Sequence, residues 1–304
     1  MAILTSLLFL FIEKIMKKNR RIFVPGSEWL YLKIYAGSTT ADQLLVQNIY
    51  NVINIIVKNK ICIKWFFIRY QDPDFHLRLR FLLNNPLDMG YVLNLFQQRL
   101  SAFIINGQIW RLQVDTYNRE LERYKTHLID ITETLFYIDS IFTIKLLRLL
   151  GGFSDAENLR WGFSIKMIDM FLDDFTLGLE EKQKLLEQMD NSFKAEFGYD
   201  QFNAKQLNLL YRQYTPLIQK VMDKDEEEFK VIYSVLKQKS KQMKPVMERI
   251  RQLDRKNELN DLLFSYIHMM MNRWFRSKNR LCELLIYNFL NRYYISIIAR
   301  NEKK

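Results

Sequence analysis

His76, Arg78 and Arg80 alternate along one short run, FHLRLRFLL (75–83), opposite Phe75, Leu77, Leu79 and Phe81. Period-two alternation puts the three polar side chains on one face of a strand. The preceding run, ICIKWFFIRY (61–70), carries Arg69 beside its last residue, so a hairpin brings a further guanidinium beside them. Cations at this spacing repel one another unless an anion or acidic neighbours neutralise them. A guanidinium grips a carboxylate through two parallel hydrogen bonds and stays charged at any working pH. Taken by itself, the pattern reads more readily as an edge strand whose charges block edge-to-edge pairing than as recognition of an anion.

Two other runs carry polar groups at helical spacing. In QVDTYNRELERY (113–124), Glu120 and Arg123 lie three apart and Arg119 and Arg123 four apart. They share one face if a helix starts here, as a site or as an ordinary surface ion pair. In SYIHMMMNRWF (265–275), His268 and Asn272 stack four apart, with Arg273 to one side and Arg276 near the same face. An imidazole titrates near neutrality and suits proton transfer, although a histidine among methionines also suits a core. The chain has three histidines (His76, His127, His268) and shows no HExxH motif, Gly-rich phosphate loop or Ser-His-Asp pattern. Cys62 and Cys282 sit in apolar runs with no CxxC spacing, which predicts buried, inert thiols and no structural zinc. No metal or cofactor is expected.

The elements that must position these residues follow from periodicity. WLYLKIYA (29–36) predicts a strand, Gly37 breaks it, and Ser38, Thr39 or Thr40 caps a helix running to about Ile56. Strands over 61–70 and 75–83 flank a Gln71-Asp72-Pro73-Asp74 turn, a helix follows Asn84-Asn85-Pro86 to about Ile104, and 108–117 forms a fourth strand. The order is β-α-β-β-α-β, as in ferredoxin-like sandwiches. Beyond Tyr124 the segments 126–150, 155–175, 179–195, 202–224, 225–253 and 255–299 read as amphipathic helices. The expected fold class is α+β, with an antiparallel sheet half (about 25–125) packed on a largely helical half (about 126–304). Residues 1–24 read as an amino-terminal extension. Its apolar stretch is too short to span a bilayer, is interrupted by Glu13 and Lys14, and lacks signal-peptide order, with Met16 as an alternative start. A cytoplasmic location is expected.

Bulk composition agrees with a folded chain. Only 9 Gly and 5 Pro among 304 residues imply long regular elements. A formal charge of +11 favours an anionic partner, whether nucleic acid, membrane surface or acidic peptide. With 34 acidic residues among 45 basic ones and no long basic block, charge alone does not choose between them.

WFFIRYQDPDFHLRLRF, QVDTYNRELERY and HMMMNRWF, with WLYLKIYAG near the start, resemble the carboxy-terminal elimination domain of class I lanthipeptide dehydratases. That family includes stand-alone thiopeptide-type bacteriocin biosynthesis proteins, and the resemblance covers about residues 25–300. It implies an α+β domain. In the full dehydratases a separate, larger domain uses glutamyl-tRNA to glutamylate Ser and Thr of a precursor peptide. The elimination domain then removes glutamate, leaving dehydroalanine or dehydrobutyrine. Carried onto this chain, the resemblance implies catalytic parts for Arg69, Arg78, Arg123 and His268. It implies substrate contacts for His76, Arg80, Glu120, Asn272 and Arg273. Arg69, Arg78 and Arg123 would meet the glutamyl carboxylates and developing charge, and His268 would act as acid or base, with Glu120 or a substrate-assisted route as the alternative base. Many members continue E-R-Y-G-G, whereas this chain reads Glu122-Arg123-Tyr124-Lys125-Thr126, a departure that bears on substrate choice. The implied partners are the precursor peptide, a glutamylating protein in trans, a cyclase and a second copy of the chain; direct tRNA binding stays open. Two other functions remain: a formal 4+2 cycloaddition of two dehydroamino acids to a pyridine, and a non-catalytic module for leader peptide or tRNA. For the last, an RNP1-type pattern is missing.

Overall fold

The computed structural model describes residues 20–198, 200–222, 227–254 and 259–302. Of the extension expected over 1–24, all but residues 20–24 lies outside them, Met16 included. The chain divides into two compact units. One holds the described residues up to Ile141 together with 252–254, and the other holds the remainder.

The first unit is built on a four-stranded antiparallel sheet. After a two-residue strand β1 (Ile22–Phe23) come β2 (Trp29–Ala36), β3 (Cys62–Gln71), β4 (Phe75–Leu83), β5 (Ile109–Asp115) and the short β6 (Tyr117–Asn118). The sheet order is β3-β4-β2-β5, and β1 pairs with β6 separately. This is the ferredoxin-like arrangement that the element order predicts. Gly37 precedes α1 (Ser38–Leu44), which continues through a π-helical stretch, Leu45–Ile49, into α2 (Tyr50–Lys58). Asn85 accepts a hydrogen bond from the Leu87 amide at the start of the turn into α3 (Met89–Ile105), as a side-chain cap should. Phe81 of β4 meets Phe96 of α3 at 5.5 Å, so the odd-numbered side chains of β4 face the helices. Each such core ring contributes about 3–5 kcal/mol.

β4 is central, paired with β3 on one side and β2 on the other. Its alternating cations therefore do not protect an edge; the edge strands are β3 and β5. The β1–β6 pair has no counterpart in the sequence reading, because two residues are too few to show a period.

A single-turn α4 (Leu121–Tyr124) leads to α5 (Ile129–Leu150). The second unit is helical: α6 (Ala156–Asp174), α7 (Leu179–Glu196), α8 (Gln201–Met222), α9 (Lys230–Leu253), α10 (Leu259–Trp274) and α11 (Asn279–Asn301). A Cβ on Gly162 of α6 would stand 3.1 Å from Leu217 and 3.2 Å from Val221, so glycine permits the close crossing of α6 and α8. Buried Asp169 of α6 accepts from Lys182 of α7 at 2.7 Å and Tyr294 of α11 at 3.0 Å. Burial works against the Asp169 anion, but Lys182, Lys166 and this tyrosine outweigh it and lower its pKa.

The single helix expected over 255–299 is two. Lys278 adopts φ 54°, where an α-helix cannot continue. Asn279 then donates to the carbonyls of Met271 (3.4 Å) and Asn272 (3.2 Å), satisfying the open end of α10.

Candidate functional site

Strand register sorts the expected arginines onto two faces. Arg80 pairs with Phe66 and Tyr31, and Arg78 with Ile68 and Lys33. His76 pairs with Tyr70 and Tyr35. These side chains, with Arg111, Gln113 and Asp115 of β5, share the face away from α1–α3. Arg69 pairs with Leu77 instead, and so lies on the helix-covered face. There it is 2% exposed and ion-paired with Asp42 of α1. The hairpin does not set Arg69 beside Arg78, because the two positions differ in parity.

One end of the polar face is closed by aromatic rings. At the closed end Trp29, Phe66 and Tyr117 meet edge to face at 5.2–6.2 Å. Arg80 lies among them, 4.6 Å from the Tyr31 ring centre, 4.8 Å from Tyr117 and 5.3 Å from Phe66. It is 8% exposed, and among the described residues its buried Nε has no hydrogen-bond acceptor. Buried guanidinium groups are ordinarily paired with a carboxylate. Aromatic faces supply part of that stabilisation.

Arg78 stands one residue pair further along the face, its guanidinium 3.3 Å from the Tyr70 ring centre. Its Nε donates to His76 Nε2 at 3.0 Å, and His76 Nδ1 donates to the Asp74 carbonyl at 2.8 Å. Both contacts are met only by a neutral imidazole with its proton on Nδ1. Burial pushes His76 below the ordinary imidazole value, and Arg78 and Lys33 push it the same way against the Asp74 carbonyl and Asp72. His76 stacks on Tyr35 at 4.5 Å, and Arg111 lies 5.0 Å above that same ring. Lys33 pairs with Asp115. Burial would raise the Asp115 carboxyl, but the Lys33 and Thr116 hydrogen bonds and the Lys33 and Arg78 charges outweigh it and lower it.

The 113–124 run divides differently from its helical reading. Arg119 precedes the helix and is buried. Its Nε and Nη2 each reach the Glu133 carboxylate of α5 at 2.7 Å, and Nη2 also meets Asp130 at 2.8 Å. Tyr117 donates to the same Glu133 at 2.9 Å. This network fixes the chain on which Glu120 and Arg123 follow, an exposed pair at 3.6 Å. Arg119 and Arg123 thus do not share a helix face. Lys125 sits at φ 60° and ψ 136°, backbone territory that favours glycine.

In the second unit, His268 of α10 directs Nδ1 at the Glu283 carboxylate of α11, 2.7 Å away. Arg273 is buried and donates to the Met269 carbonyl of its own helix at 2.8 Å. Arg276, expected near the His268 face, lies beyond the end of α10 and pairs with Glu157 at 3.1 Å. Sequence reasoning missed Glu283; its one signal is a lone acid inside the apolar run RLCELLIY. Lys33 and Arg111 were missed too, although each interrupts an apolar strand. Burial pushes the Cys62 thiol up to about 12 and Cys282 up to about 11, which suppresses thiolate chemistry. No described helix is long and apolar enough to cross a membrane.

Known proteins place these features in context. The subtilin biosynthesis protein SpaB of Bacillus subtilis is 27% identical over 268 residues, covering 86% of this chain and 25% of SpaB. The chain therefore spans about a quarter of that relative's length. Among solved structures, the tRNA-dependent lantibiotic dehydratase MibB from Microbispora sp. 107891 superposes with a TM-score of 0.70 at 20% identity, over 92% of this chain and 29% of MibB. TbtD, a pyridine synthase from thiomuracin biosynthesis, superposes with a TM-score of 0.62 at 12% identity, over 89% of this chain and 99% of TbtD. Identities this low show a shared fold. The model of the family described as lantibiotic biosynthesis dehydratase C-terminal matches residues 29–294. Because that match runs through both the sheet unit and the helical unit, the chain belongs to the lantibiotic biosynthesis dehydratase C-terminal family.

Proposed function

We propose that this chain is a lyase that eliminates glutamate from glutamylated Ser or Thr of a ribosomally made precursor peptide, with a separate protein supplying the glutamylation. The observation that carries the reading is Arg80, a buried guanidinium with no carboxylate partner among the described residues, on one sheet face with Arg78. A buried cation left in that state favours an incoming anion, and each charge-assisted hydrogen bond adds about 1.5–3 kcal/mol.

Elimination removes the proton on Cα, turns the C–H electron pair into a Cα=Cβ bond and breaks the Cβ–O bond, so glutamate departs through its side-chain carboxylate. Arg78 and Arg80 receive the glutamyl carboxylates and the negative charge of the leaving group. His76, kept neutral, orients Arg78. Arg123, in loose contact with Glu120, adds a further cation. Arg69 serves from the helix side by tying β3 to Asp42. The resemblance assigns the acid or base role to His268 of the second unit, with Asn272 and Arg273 on the same helix.

Purified protein supplied with a glutamylated precursor peptide should release glutamate and yield a dehydrated peptide by mass spectrometry. Arg78→Ala and Arg123→Ala should leave the glutamyl adduct in place. Unchanged turnover in either variant removes that arginine from the mechanism. Pyridine formation from a peptide already holding two dehydroalanines, without glutamate release, would establish the cycloaddition reading instead.

A further inference from the structure

The His268 imidazole is held from behind. Its Nδ1 lies 2.7 Å from Glu283 Oε1, in a pair whose acid is fully buried and whose imidazole is 26% exposed. Among the described residues Nε2 makes no hydrogen bond. The other oxygen of Glu283 is 3.4 Å from Arg280 Nη1. Arg280 also pairs with Glu196 of α7 and stands 4.0 Å from the Phe193 ring centre. Glu283 is therefore fixed by its own helix, by the guanidinium one turn earlier and, through that guanidinium, by a neighbouring helix. A side chain this constrained sets the ring plane and tautomer of the histidine it touches.

We propose that Glu283 is a positioning residue for His268: it keeps the imidazole proton on Nδ1 and leaves Nε2 as the atom that takes the substrate proton. This rests on the elimination reading. Nε2 accepts the Cα proton, the C–H electron pair becomes the Cα=Cβ bond, and the Cβ–O electrons leave with glutamate. The imidazolium that results is stabilised by the Glu283 carboxylate, then returns its new proton from Nε2 to water. The Nδ1 proton stays in place throughout. A carboxylate in this position matters most when positive charge develops on the ring, so its removal acts on kcat more than on KM.

The test uses the whole chain. Histidine-selective nitrogen NMR of the wild-type protein, with the His268 signal assigned by its loss in His268→Phe, should show a protonated Nδ1 and an unprotonated Nε2. Glu283→Gln keeps the shape of the side chain and removes its charge. It should lower kcat for glutamate release roughly 10²-fold or more with little change in KM, while Glu283→Asp recovers part of the rate. A wild-type His268 protonated mainly on Nε2, or full kcat in a folded Glu283→Gln variant, overturns the proposal. If the wild-type protein releases no glutamate, the elimination reading fails. The tautomer then still reports on whether Glu283 sets the imidazole, independently of that failure.

Discussion

Arg78 engages two neighbours at once, the Tyr70 ring beneath it and the imidazole of His76 beside it. Such a contact needs His76 neutral, since protonating Nε2 would remove an acceptor and set two cations together. The folded protein thus holds His76 below its unfolded value near 6.5. As pH falls through about 6.5 the unfolded chain takes up a proton that the folded chain refuses, so stability declines. Above that pH the contribution is fully present, and the decline ends at the folded value. Urea midpoints measured at pH 7.5 and pH 5.5 should fall in the acid, and the fall should be smaller in His76→Gln. Equal falls in both proteins would show that His76 titrates as it does in the unfolded chain.

The connection from β5 to α5 is held by ions rather than by regular structure. β6 and α4 are too short to be stable alone, and the segment is anchored through Arg119 and Tyr117 on Glu133. Glu133 is fully buried and Lys64 also approaches it at 3.4 Å. Arg119→Met leaves that carboxylate short of its main partner, and losing one member of a buried pair costs about 3–5 kcal/mol. Denaturant unfolding should show this loss, and proteolysis should open the chain first near 119–125. A variant as stable as wild type would mean that Lys64 and Tyr117 satisfy Glu133 by themselves. Lys125, in glycine's backbone region, adds strain of the order of 1–3 kcal/mol in the same short stretch.

The molecule carries +11 overall, and Lys33, Arg78 and Arg111 share one sheet face with Asp115. Attraction of this kind is screened over about 8 Å at physiological salt and about 3 Å at 1 M. Raising salt from 0.05 M to 0.5 M should therefore raise KM for the glutamylated peptide while changing kcat little. A salt-independent KM would show that recognition rests on contacts inside the site. If the affinity that collapses with salt is instead for tRNA, with no effect on glutamylated peptide, the binding-module reading gains.

The amino-acid order alone determined the order of the four main strands and the helices between them, the α+β class and the alternation that lines up His76, Arg78 and Arg80, because periodicity and turn residues act over a few neighbours along the chain. Tertiary structure decided the rest. Strand pairing placed β4 in the centre of the sheet and turned Arg69 to the helix side, a choice of parity invisible until the hairpin register is known. Rings from β2, β3 and β6 enclose Arg80, and a carboxylate fifteen residues beyond His268 supplies its partner. Such partners become neighbours only when distant segments pack, since burial and pairing depend on where the chain returns in space and not on its local pattern.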